Sequence, residues 1–478
     1  MLNHVIWFKK NLRVVDNATL LDSKYPKILI YIIEPQLWVQ KDMSLRQWEF
    51  TLESLKDLRN QLSSINLHLN ILSGDALEIF KDIHLKYGIK KVTSEQETGI
   101  NWTYQRDKRI GQFFKSEKIA WQEIPHIGVI RGKHNRDNWA KNFHKEINKP
   151  ILTTNDYFKS SKILEIPNFQ HPQQFYDSTP CPERQKGGNE NATKLLKTFL
   201  DFRGENYQIE MSSPISAEQS CSRLSTHFAF GTMSTRVAFH EASHRQKELQ
   251  GTNKNFVRSI NSFLSRLHWR SHFIQKLEDE PSIQDKNFIS IYDNLRDEDE
   301  IKLKAWIEGR TGIPFIDACM IYLRNHGWIN FRMRAMLASF AAYNLWLDWR
   351  FYAPHLAALF TDFEPGIHYS QVQMQSGTTG INAIRVYNPY KQSEDQDPKG
   401  FFIRKNIPKF QEVPLNLLHY PENITPFEEQ LLPNNWIKPM VNVNQTSKFA
   451  KDRIFSLRKM TNHKILAKSV YIKHGSRK

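Results

Sequence analysis

The sequence predicts an α/β domain with a parallel sheet, then a long connection, then an all-helical domain. In the first 130 residues, short continuous apolar runs alternate with segments of helical spacing. Fully apolar strands that alternate with helices are typical of a parallel sheet covered on both faces. From Asn191 onward the apolar pattern is helical. A length of 478 residues fits two domains, and we place the boundaries at 1–130, 131–190 and 191–478.

Four strands and two helices can be placed in the N-terminal region. We predict strands at 5–8, 28–33, 67–72 and 91–93, and helices at 45–62 and 75–86. This alternation is Rossmann-like. No G-x-G-x-x-G follows the first strand, so the usual dinucleotide fingerprint is missing from this domain.

The region 130–188 has a different composition. It carries five prolines and ends at Gly187-Gly188, which indicates a connection that crosses the surface between the domains. At the other end of the chain, 448–478 is strongly basic. We predict a helix followed by a loose tail there.

The charge balance favours an anionic partner. Lys and Arg number 66 against 50 Asp and Glu, which gives a net charge of +16. A basic surface suits a polyanion such as nucleic acid, although an excess of lysine that merely keeps the protein soluble is the alternative.

Cysteine usage and hydropathy point to a reducing, cytoplasmic setting. Three well-separated cysteines supply neither the four thiolates of an iron–sulfur cluster nor a disulfide framework. We expect no membrane span, because no run of eighteen apolar residues is free of charge, and no signal peptide. We further expect a monomer.

The most informative stretch is 309–380. Within it, 327–349 is apolar on nearly every side, which predicts a deeply buried helix. Arg332 and Arg334 lie inside this segment, and buried charges need partners. Asp362 and Glu364 follow on the next segment. We therefore expect two arginines of one helix to face two carboxylates of a loop; a purely structural salt bridge is the alternative.

Two further clusters carry polar groups in suggestive patterns. Ser222, Ser225 and Thr226 crowd a helix start, where hydroxyls and free N–H groups satisfy either a phosphate or the helix end itself. His268 and His272 have the helical spacing of metal ligands, but no third ligand is apparent, so we predict no metal.

The order of these motifs resembles the photolyase/cryptochrome family, in a class I-like form with an atypical substrate pocket. The matching pieces are Trp306, Gly309-Arg310-Thr311-Gly312, Asp317-Ala318, Gly327-Trp328, Arg334, Asp348-Trp349 and 362–368. The resemblance runs from the N-terminus to about residue 408. It implies FAD, bound in a bent shape in the helical domain with its ring system at the base of a cavity.

The resemblance also implies contacts for the cofactor. The segment Ser222, Arg223, Leu224 and Ser225 matches the one that cradles the FAD diphosphate, and Tyr207 lies where relatives often place another contact. The resemblance further assigns flavin-side positions to Arg270, Arg334, Asp362, Glu364 and His368.

Three of these flavin-side residues carry particular roles. Arg334 and Asp362 match an ion pair beside the flavin, and Glu364 stands where most relatives carry Asp. His368 matches the position facing flavin N5, where it donates a hydrogen bond or, if protonated, adds charge; a satisfied core histidine is the alternative.

A second chromophore, a light-harvesting antenna of the pterin or deazaflavin type, is implied for the N-terminal domain. Its candidate contacts are Glu97, Trp102 and Arg106. An ordinary loop that leads into a solvated helix is the alternative.

The electron route departs from the family pattern. Trp306 and Trp349 match the outer and middle members of the tryptophan chain, whereas the innermost position is Val372. Valine cannot carry a hole, so we expect light to reduce the flavin by a different relay, in which Tyr369 or Trp346 substitutes.

The substrate pocket departs further. Trp269 matches the tryptophan that lines the cavity, but Arg266 replaces a glutamate, Phe331 an asparagine and Met374 an aromatic residue. The histidine pair expected of (6-4) photolyases would fall at Asn330 and Ala335. The candidate DNA contacts are Arg266, Arg385, Lys391 and Arg404. For the last three, solvated turns are the alternative.

The resemblance therefore predicts a light-driven lyase that flips a UV-damaged pyrimidine pair out of DNA and splits it with an electron from reduced FAD. The alternative is a cryptochrome-type blue-light photoreceptor without repair activity. A nucleic-acid binder whose FAD is only structural is a third hypothesis.

Overall fold

A five-stranded parallel sheet forms the N-terminal domain. The structure is a computed structural model that describes residues 3–21, 26–132, 136–165, 169–430, 432–433 and 436–475. The strands are β1 Asn3–Phe8, β2 Lys27–Ile33, β3 Leu69–Ser73, β4 Ile89–Glu95 and β5 Ala120–Ile124. Their order is β3-β2-β1-β4-β5, and in the register Val5 faces Ile28 on one side and Val92 on the other.

The four predicted strands are present, and β5 was missed. The four lie where continuous apolar runs predicted them, with every residue of β1 buried. In contrast, β5 has the sequence AWQEI and is exposed or half-buried throughout. An edge strand of this kind lacks the apolar run by which a buried strand is recognised.

Helices cover both faces of the sheet. They are α1 Pro35–Trp38, α2 Leu45–Ser63, α3 Ala76–Tyr87 and α4 Asn101–Ser116. The carboxylate of Asp75 caps α3 by accepting from two backbone N–H groups, and Gly88 ends the helix. Both predicted helices are therefore confirmed.

The proline-rich connection is anchored on the N-terminal domain. It contains the helix α5 Trp139–Ile147. Arg184 donates to Glu49 and Glu53 of α2 at 2.8–2.9 Å. A Cβ on Gly187 would lie 2.3 Å from the Phe50 carbonyl oxygen, so only glycine permits this approach.

The remainder of the chain is helical. The helices are α6 Asn189–Thr198, α7 Tyr207–Glu210, α8 Ala217–Ser220, α9 Ser225–Ala229, α10 Thr235–Glu248, α11 Lys254–Asp279, α12 Glu300–Glu308, α13 Pro314–His326, α14 Phe331–Ser339, α15 Trp349–Leu359, α16 Pro365–Ser376, α17 Pro389–Gln396, α18 Phe401–Asn406, α19 Leu415–His419, α20 Pro426–Glu429, α21 Val443–Arg458 and α22 Thr461–His474. Two π-helical turns, Phe199–Arg203 and Phe340–Asn344, extend α6 and α14. Short 3-10 turns lie at Ala18–Leu20, Thr154–Asp156, Pro281–Gln284, Ser290–Tyr292, Pro408–Phe410 and Pro421–Asn423.

The apolar stretch 327–349 is buried but is not one helix. It divides into α14, the π-turn and a short loop, and α15 begins at its end. Trp346 adopts φ of 58° in this loop, and the Asp348 side chain caps α15 by accepting from the N–H of Arg350 at 2.8 Å. The prediction of a single helix was wrong, because periodicity alone does not reveal a cap inside an apolar run.

The chain end is docked as far as residue 475. Two helices, α21 and α22, occupy the stretch predicted to end in a loose tail. Lys473 and His474 of α22 both contact the carboxylate of Glu280, at 2.8 and 2.7 Å. Residues 476–478 lie outside the described residues.

The two domains are held together by buried polar side chains of α2. Arg46 donates to the carbonyl oxygens of Arg324 and Leu359 at 3.0 and 3.1 Å. Gln47 donates to those of Ala357 and Phe360. Within the described ranges, no helix is both long and apolar enough to cross a bilayer.

Candidate functional site

The predicted pair of Arg334 and Asp362 forms a two-point salt bridge. Each guanidinium nitrogen lies 2.9 Å from one carboxylate oxygen. Nε of Arg334 donates to the Ile329 carbonyl at 2.7 Å, and the guanidinium lies over the ring of Phe360. The Asp362 side chain is 3% exposed and that of Arg334 is 25% exposed. The carboxylate of Asp362 is therefore enclosed by protein, whereas the guanidinium of Arg334 is partly open to solvent.

Glu364 pairs with an arginine from a different helix. Its carboxylate accepts from Arg270 of α11 at 2.9 Å, and Arg270 also donates to the Phe228 carbonyl. Arg332 is half-buried and its Nε has no hydrogen-bond partner among the described residues. We expected both arginines of this helix to face the two carboxylates. Arg334 does so, whereas the partner of Glu364 is Arg270 and not Arg332.

His368 is a buried, neutral histidine. Its Nε2 lies 2.9 Å from the Ala353 carbonyl oxygen, to which it donates. Burial, followed by nearby Arg334, lowers the pKa of His368 to about 4, despite the hydrogen bond to Ala353. The ring therefore carries no charge near neutral pH, and Nδ1 is left as an acceptor. With Nε2 donating to Ala353 and Nδ1 unprotonated, this arrangement offers a neighbouring group neither the donated hydrogen bond nor the added charge expected for His368.

The segment 222–225 forms a tight turn ahead of a short helix. Arg223 adopts φ of 60°, in the left-handed region that few non-glycine residues occupy. The helix that follows, α9, has five residues and no side-chain cap. Gln185 of the connection fixes the turn by donating to the Arg223 carbonyl at 2.8 Å. The serines do not cap the helix, so capping does not explain this turn.

Arginines accumulate around this turn. Four of them interact electrostatically with Cys221, whose pKa burial raises to about 12: Arg223, Arg203, Arg334 and Arg266. Arg203 holds the loop by donating to the carbonyls of Gln219 and Cys221. Such a concentration of guanidinium groups favours an anion.

Arg223 itself lacks a hydrogen-bonding anion. Its guanidinium stacks over Trp328 at 4.0 Å from the ring centroid. Its buried Nε has no hydrogen-bond partner within the described part of the chain, and burial lowers its pKa. An orphaned guanidinium beside three further arginines fits the diphosphate of FAD. Tyr207, whose pKa burial raises to about 12, is buried nearby and interacts electrostatically with Arg266.

Two large aromatic side chains are exposed near these groups in sequence. Trp269 directly precedes Arg270 and is 38% exposed. Phe331, at the start of α14, is 53% exposed. Rings of this kind can stack on a base. The rings of His268 and His272 contact Trp269 and also pack on Trp139. Among the described residues, no group of three or more metal-ligating side chains is assembled.

The aromatic residues predicted to carry electrons are partly connected. Trp349 lies 6.2 Å from Tyr369 between ring centroids, and Tyr369 lies 5.1 Å from His368. Trp306 is fully buried and packs on Tyr352 at 5.6 Å, so its indole does not reach solvent as an outer member would. Two residues were proposed to substitute for Val372. One of them, Tyr369, contacts both Trp349 and His368.

Trp346 lies elsewhere, because its ring packs on Phe449 and under the guanidinium of Arg296.

The candidate antenna contacts are occupied by one another. Arg106 donates to Glu97 and Glu34, and its guanidinium lies over Trp7. Burial raises the pKa of Glu34 to about 7, although the neighbouring Arg106 opposes this. Because its guanidinium is already bonded to two carboxylates and packed on Trp7, Arg106 has no free surface against which a chromophore ring could bind. A pocket does lie alongside, between the domains; its lining includes Glu95, Glu97, His126, Phe228 and Arg270.

The candidate DNA contacts divide into two groups. Arg266, Arg385 and Lys391 are exposed. Arg404 instead donates to three carbonyl oxygens, those of Lys399, Gln411 and Val413. Its guanidinium is used to hold a turn, so the assignment of Arg404 as a phosphate contact is withdrawn.

Sequence reasoning missed Arg203, Gln185 and Trp328 as parts of the site. Gln185 is 38 residues from the carbonyl it binds, and no local pattern signals such a contact. Gly187-Gly188 was the available clue, since a glycine pair at the end of a connection often marks a close approach.

Comparisons with known proteins agree with this geometry. Residues 4–131 match the family model described as DNA photolyase, and 263–456 match the FAD binding domain of DNA photolyase. The deoxyribodipyrimidine photo-lyase of Escherichia coli is 26% identical over 88% of this chain and 92% of its own. Cryptochrome-2 of Gallus gallus is 24% identical over 94% of this chain and 82% of its own.

Solved structures show the same fold. The cryptochrome of Synechocystis superposes with a TM-score of 0.84 at 19% identity, covering 94% of this chain and 98% of its own. A class III photolyase of Agrobacterium tumefaciens gives a TM-score of 0.78 at 22% identity, covering 96% and 98%. With both domains matched in order and the flavin-side ion pair in place, the chain belongs to the photolyase/cryptochrome family.

Proposed function

We propose that this protein is a light-driven DNA photolyase that uses FAD to split UV-induced pyrimidine dimers. The observation that carries the proposal is the pair of exposed rings, Trp269 and Phe331, on helices that also hold the buried ion pairs. Exposed aromatics at these positions supply stacking surfaces for a flipped base. A pocket that served only to enclose the cofactor would gain nothing by exposing them.

The chain's own residues hold and orient the cofactor. Arg223 meets the diphosphate, while Arg334, held by Asp362, offsets negative charge at the ring. His368 presents Nδ1 as an acceptor and keeps its Nε2 proton on the Ala353 carbonyl. When bound and reduced, FAD supplies the electron that splits the dimer.

DNA would be held by exposed cations and not by base recognition. Arg266, Arg385 and Lys391 are exposed, and the net charge is +16. Cations of this kind neutralise phosphates and position the duplex. Arg266 is exposed and also interacts electrostatically with Tyr207, which would link the DNA surface to the cofactor site.

The test is illumination of the reduced, FAD-containing protein with oligonucleotides that carry one cyclobutane dimer or one (6-4) product. We expect repair of one lesion, and a loss of that repair in F331A. The control is F427A, which removes an exposed phenylalanine from α20 instead. If neither lesion is repaired while the flavin is photoreduced normally, the proposal fails.

A blue-light photoreceptor is the second candidate, and one contact favours it. Glu280 follows directly on α11, which carries Trp269 and Arg270, and it binds both Lys473 and His474 of α22. A change at the cofactor could be passed to this docked helix. For this function, E280Q should increase proteolysis of α22 in the dark, and light should increase it in the wild type; equal digestion throughout would exclude it.

Further properties belong to the same proposal. We propose that the N-terminal domain binds a pterin or deazaflavin antenna next to Glu97, where the adjoining pocket is too small for such a ring and would have to widen. Mass spectrometry of chromophores released from purified protein would identify it. We also propose a cytoplasmic monomer of the class I type, which localisation and light scattering would test.

A further inference from the structure

Tyr369 occupies the gap in the aromatic chain. The inner position of that chain is Val372, which cannot be oxidised. The ring of Tyr369 is fully buried, lies 6.2 Å from Trp349 and touches His368 at 5.1 Å between centroids. Trp349 is itself held by a hydrogen bond from its Nε1 to Asn287 at 2.7 Å. A phenol therefore stands between the cofactor-side histidine and the fixed tryptophan.

The hydroxyl of Tyr369 reaches across the domain boundary. It donates to Oδ2 of Asp42, on the loop before α2, at 2.8 Å. The same oxygen accepts from Nε2 of Gln284 at 3.3 Å. Two donors converge on Oδ2, whereas Oδ1 has no hydrogen-bond partner among the described residues. Asp42 is thus positioned as an acceptor for the phenolic proton.

Burial favours proton transfer along this hydrogen bond once the tyrosine is oxidised. Asp42 is 1% exposed, and burial raises its pKa, which makes its carboxylate a better base. Burial also keeps the pKa of Tyr369 above its usual range, so the phenol is protonated at rest. An oxidised tyrosine that kept its proton would be a buried cation against the Asp42 carboxylate, and transfer of the proton along the hydrogen bond neutralises both groups.

We propose that Tyr369 is the inner electron relay of this protein and that Asp42 is its proton acceptor. This rests on the proposed binding of FAD beside His368. Tyr369 gives one electron to the photo-excited flavin ring and its hydroxyl proton to the Asp42 carboxylate. One O–H bond breaks on the phenol and one forms on the carboxyl group. The tyrosyl radical returns to tyrosine with the proton from Asp42 and an electron from an external thiol.

A purely structural role for the same hydrogen bond makes a different prediction. If it only docks the domains, Asp42→Asn should be harmless, because the amide oxygen still accepts from the hydroxyl. If Asp42 is the base, the same substitution removes the proton acceptor while the contact is kept.

The experiment compares the FAD-containing full-length wild type with Y369F, D42N and D42E, using Y292F as control. Tyr292 is another buried tyrosine, and its hydroxyl contacts Nε2 of His463 at 2.8 Å. Under blue light with thiol, we expect Y369F and D42N to photoreduce about a hundredfold more slowly. D42E should recover part of the rate and Y292F should match the wild type. The wild-type rate should fall in D2O.

A second readout follows the residue itself. Frozen, illuminated wild type should show the electron paramagnetic resonance signal of a tyrosyl radical, altered by ring-deuterated tyrosine and absent from Y369F. A Y369F protein that holds FAD and photoreduces at the wild-type rate overturns the relay. Slow Y369F with normal D42N overturns only the assignment of Asp42. A wild type that binds no FAD removes the proposed function, and the relay with it.

Discussion

Arg334 and Asp362 meet through two parallel hydrogen bonds of 2.9 Å, in a pair that is buried at the carboxylate and open at the guanidinium. These hydrogen bonds fix the orientation of the Arg334 guanidinium, and therefore the side on which its positive charge is open to solvent. This geometry also means that the pair contributes to stability as well as to the site, because Asp362 is almost fully buried.

Substitution of Asp362 by Asn should therefore destabilise the protein. Arg334 would lose the negative charge of its buried partner while its own guanidinium stays partly open to solvent, at a cost of about 2 kcal/mol. Urea denaturation of the apoprotein measures this. The matched control is E190Q, which breaks the exposed pair of Glu190 and Lys194. That variant should unfold like the wild type, and an equally small effect of D362N would show that the buried pair is not important for stability.

Arg223 should determine FAD affinity. R223A removes the orphaned guanidinium that we assign to the diphosphate, and loss of hydrogen bonds to a charged group should weaken binding by about tenfold or more. Titration of apoprotein with FAD, followed by quenching of flavin fluorescence, measures the Kd. R310A, which removes an arginine that is largely exposed, should leave the Kd unchanged. Equal affinity of R223A and wild type would contradict the assignment.

The protein should lose stability as pH falls below the ordinary pKa of histidine. The pKa of His368 is lowered to about 4 in the folded state, so between about pH 6.5 and pH 4 the unfolded chain binds the extra proton. The free energy of unfolding should fall across this window, with a contribution from His368 of roughly 3 kcal/mol.

Comparison of wild type with H368N isolates that contribution. The variant should show a shallower dependence of unfolding free energy on pH. Some slope should persist, because burial also lowers the pKa of His227 to about 3. Identical slopes for the two proteins would mean that His368 is not buried in its neutral form.

The salt dependence of DNA affinity should differ between variants of the exposed Arg385 and Lys391 and a variant of Arg404, whose guanidinium is bonded to carbonyl oxygens. R385Q and K391Q should each reduce the slope of log affinity against log salt by about one. R404Q should leave that slope unchanged but lower thermal stability, since Arg404 holds three carbonyls. Filter binding to duplex DNA over a salt series measures these slopes. If R404Q changed the slope as much as R385Q does, Arg404 would be a phosphate contact after all.

Different parts of the site were predictable to different degrees. Arg334 and Asp362 were predicted to pair because ordered motifs carry them, and the two side chains do pair. The position of His368 beside the flavin stays a prediction. The partner of Glu364 was not predicted, since Arg270 lies 94 residues away on α11. Arg404, in α18, was misassigned because the local sequence of a basic residue gives no sign of the carbonyls that surround it.

By itself, the sequence determined the two-domain architecture, the buried strands, the family and the pairing of Arg334 with Asp362, because apolar periodicity and ordered motifs are properties of neighbouring residues. Tertiary structure alone decided that His368 is buried against the Ala353 carbonyl, that Nε of Arg223 has no hydrogen-bond partner among the described residues and that Tyr369 is bonded to Asp42. Those properties depend on burial and on groups distant in the chain. The distance from Asp42 to Tyr369 is 327 residues in sequence and 2.8 Å in space.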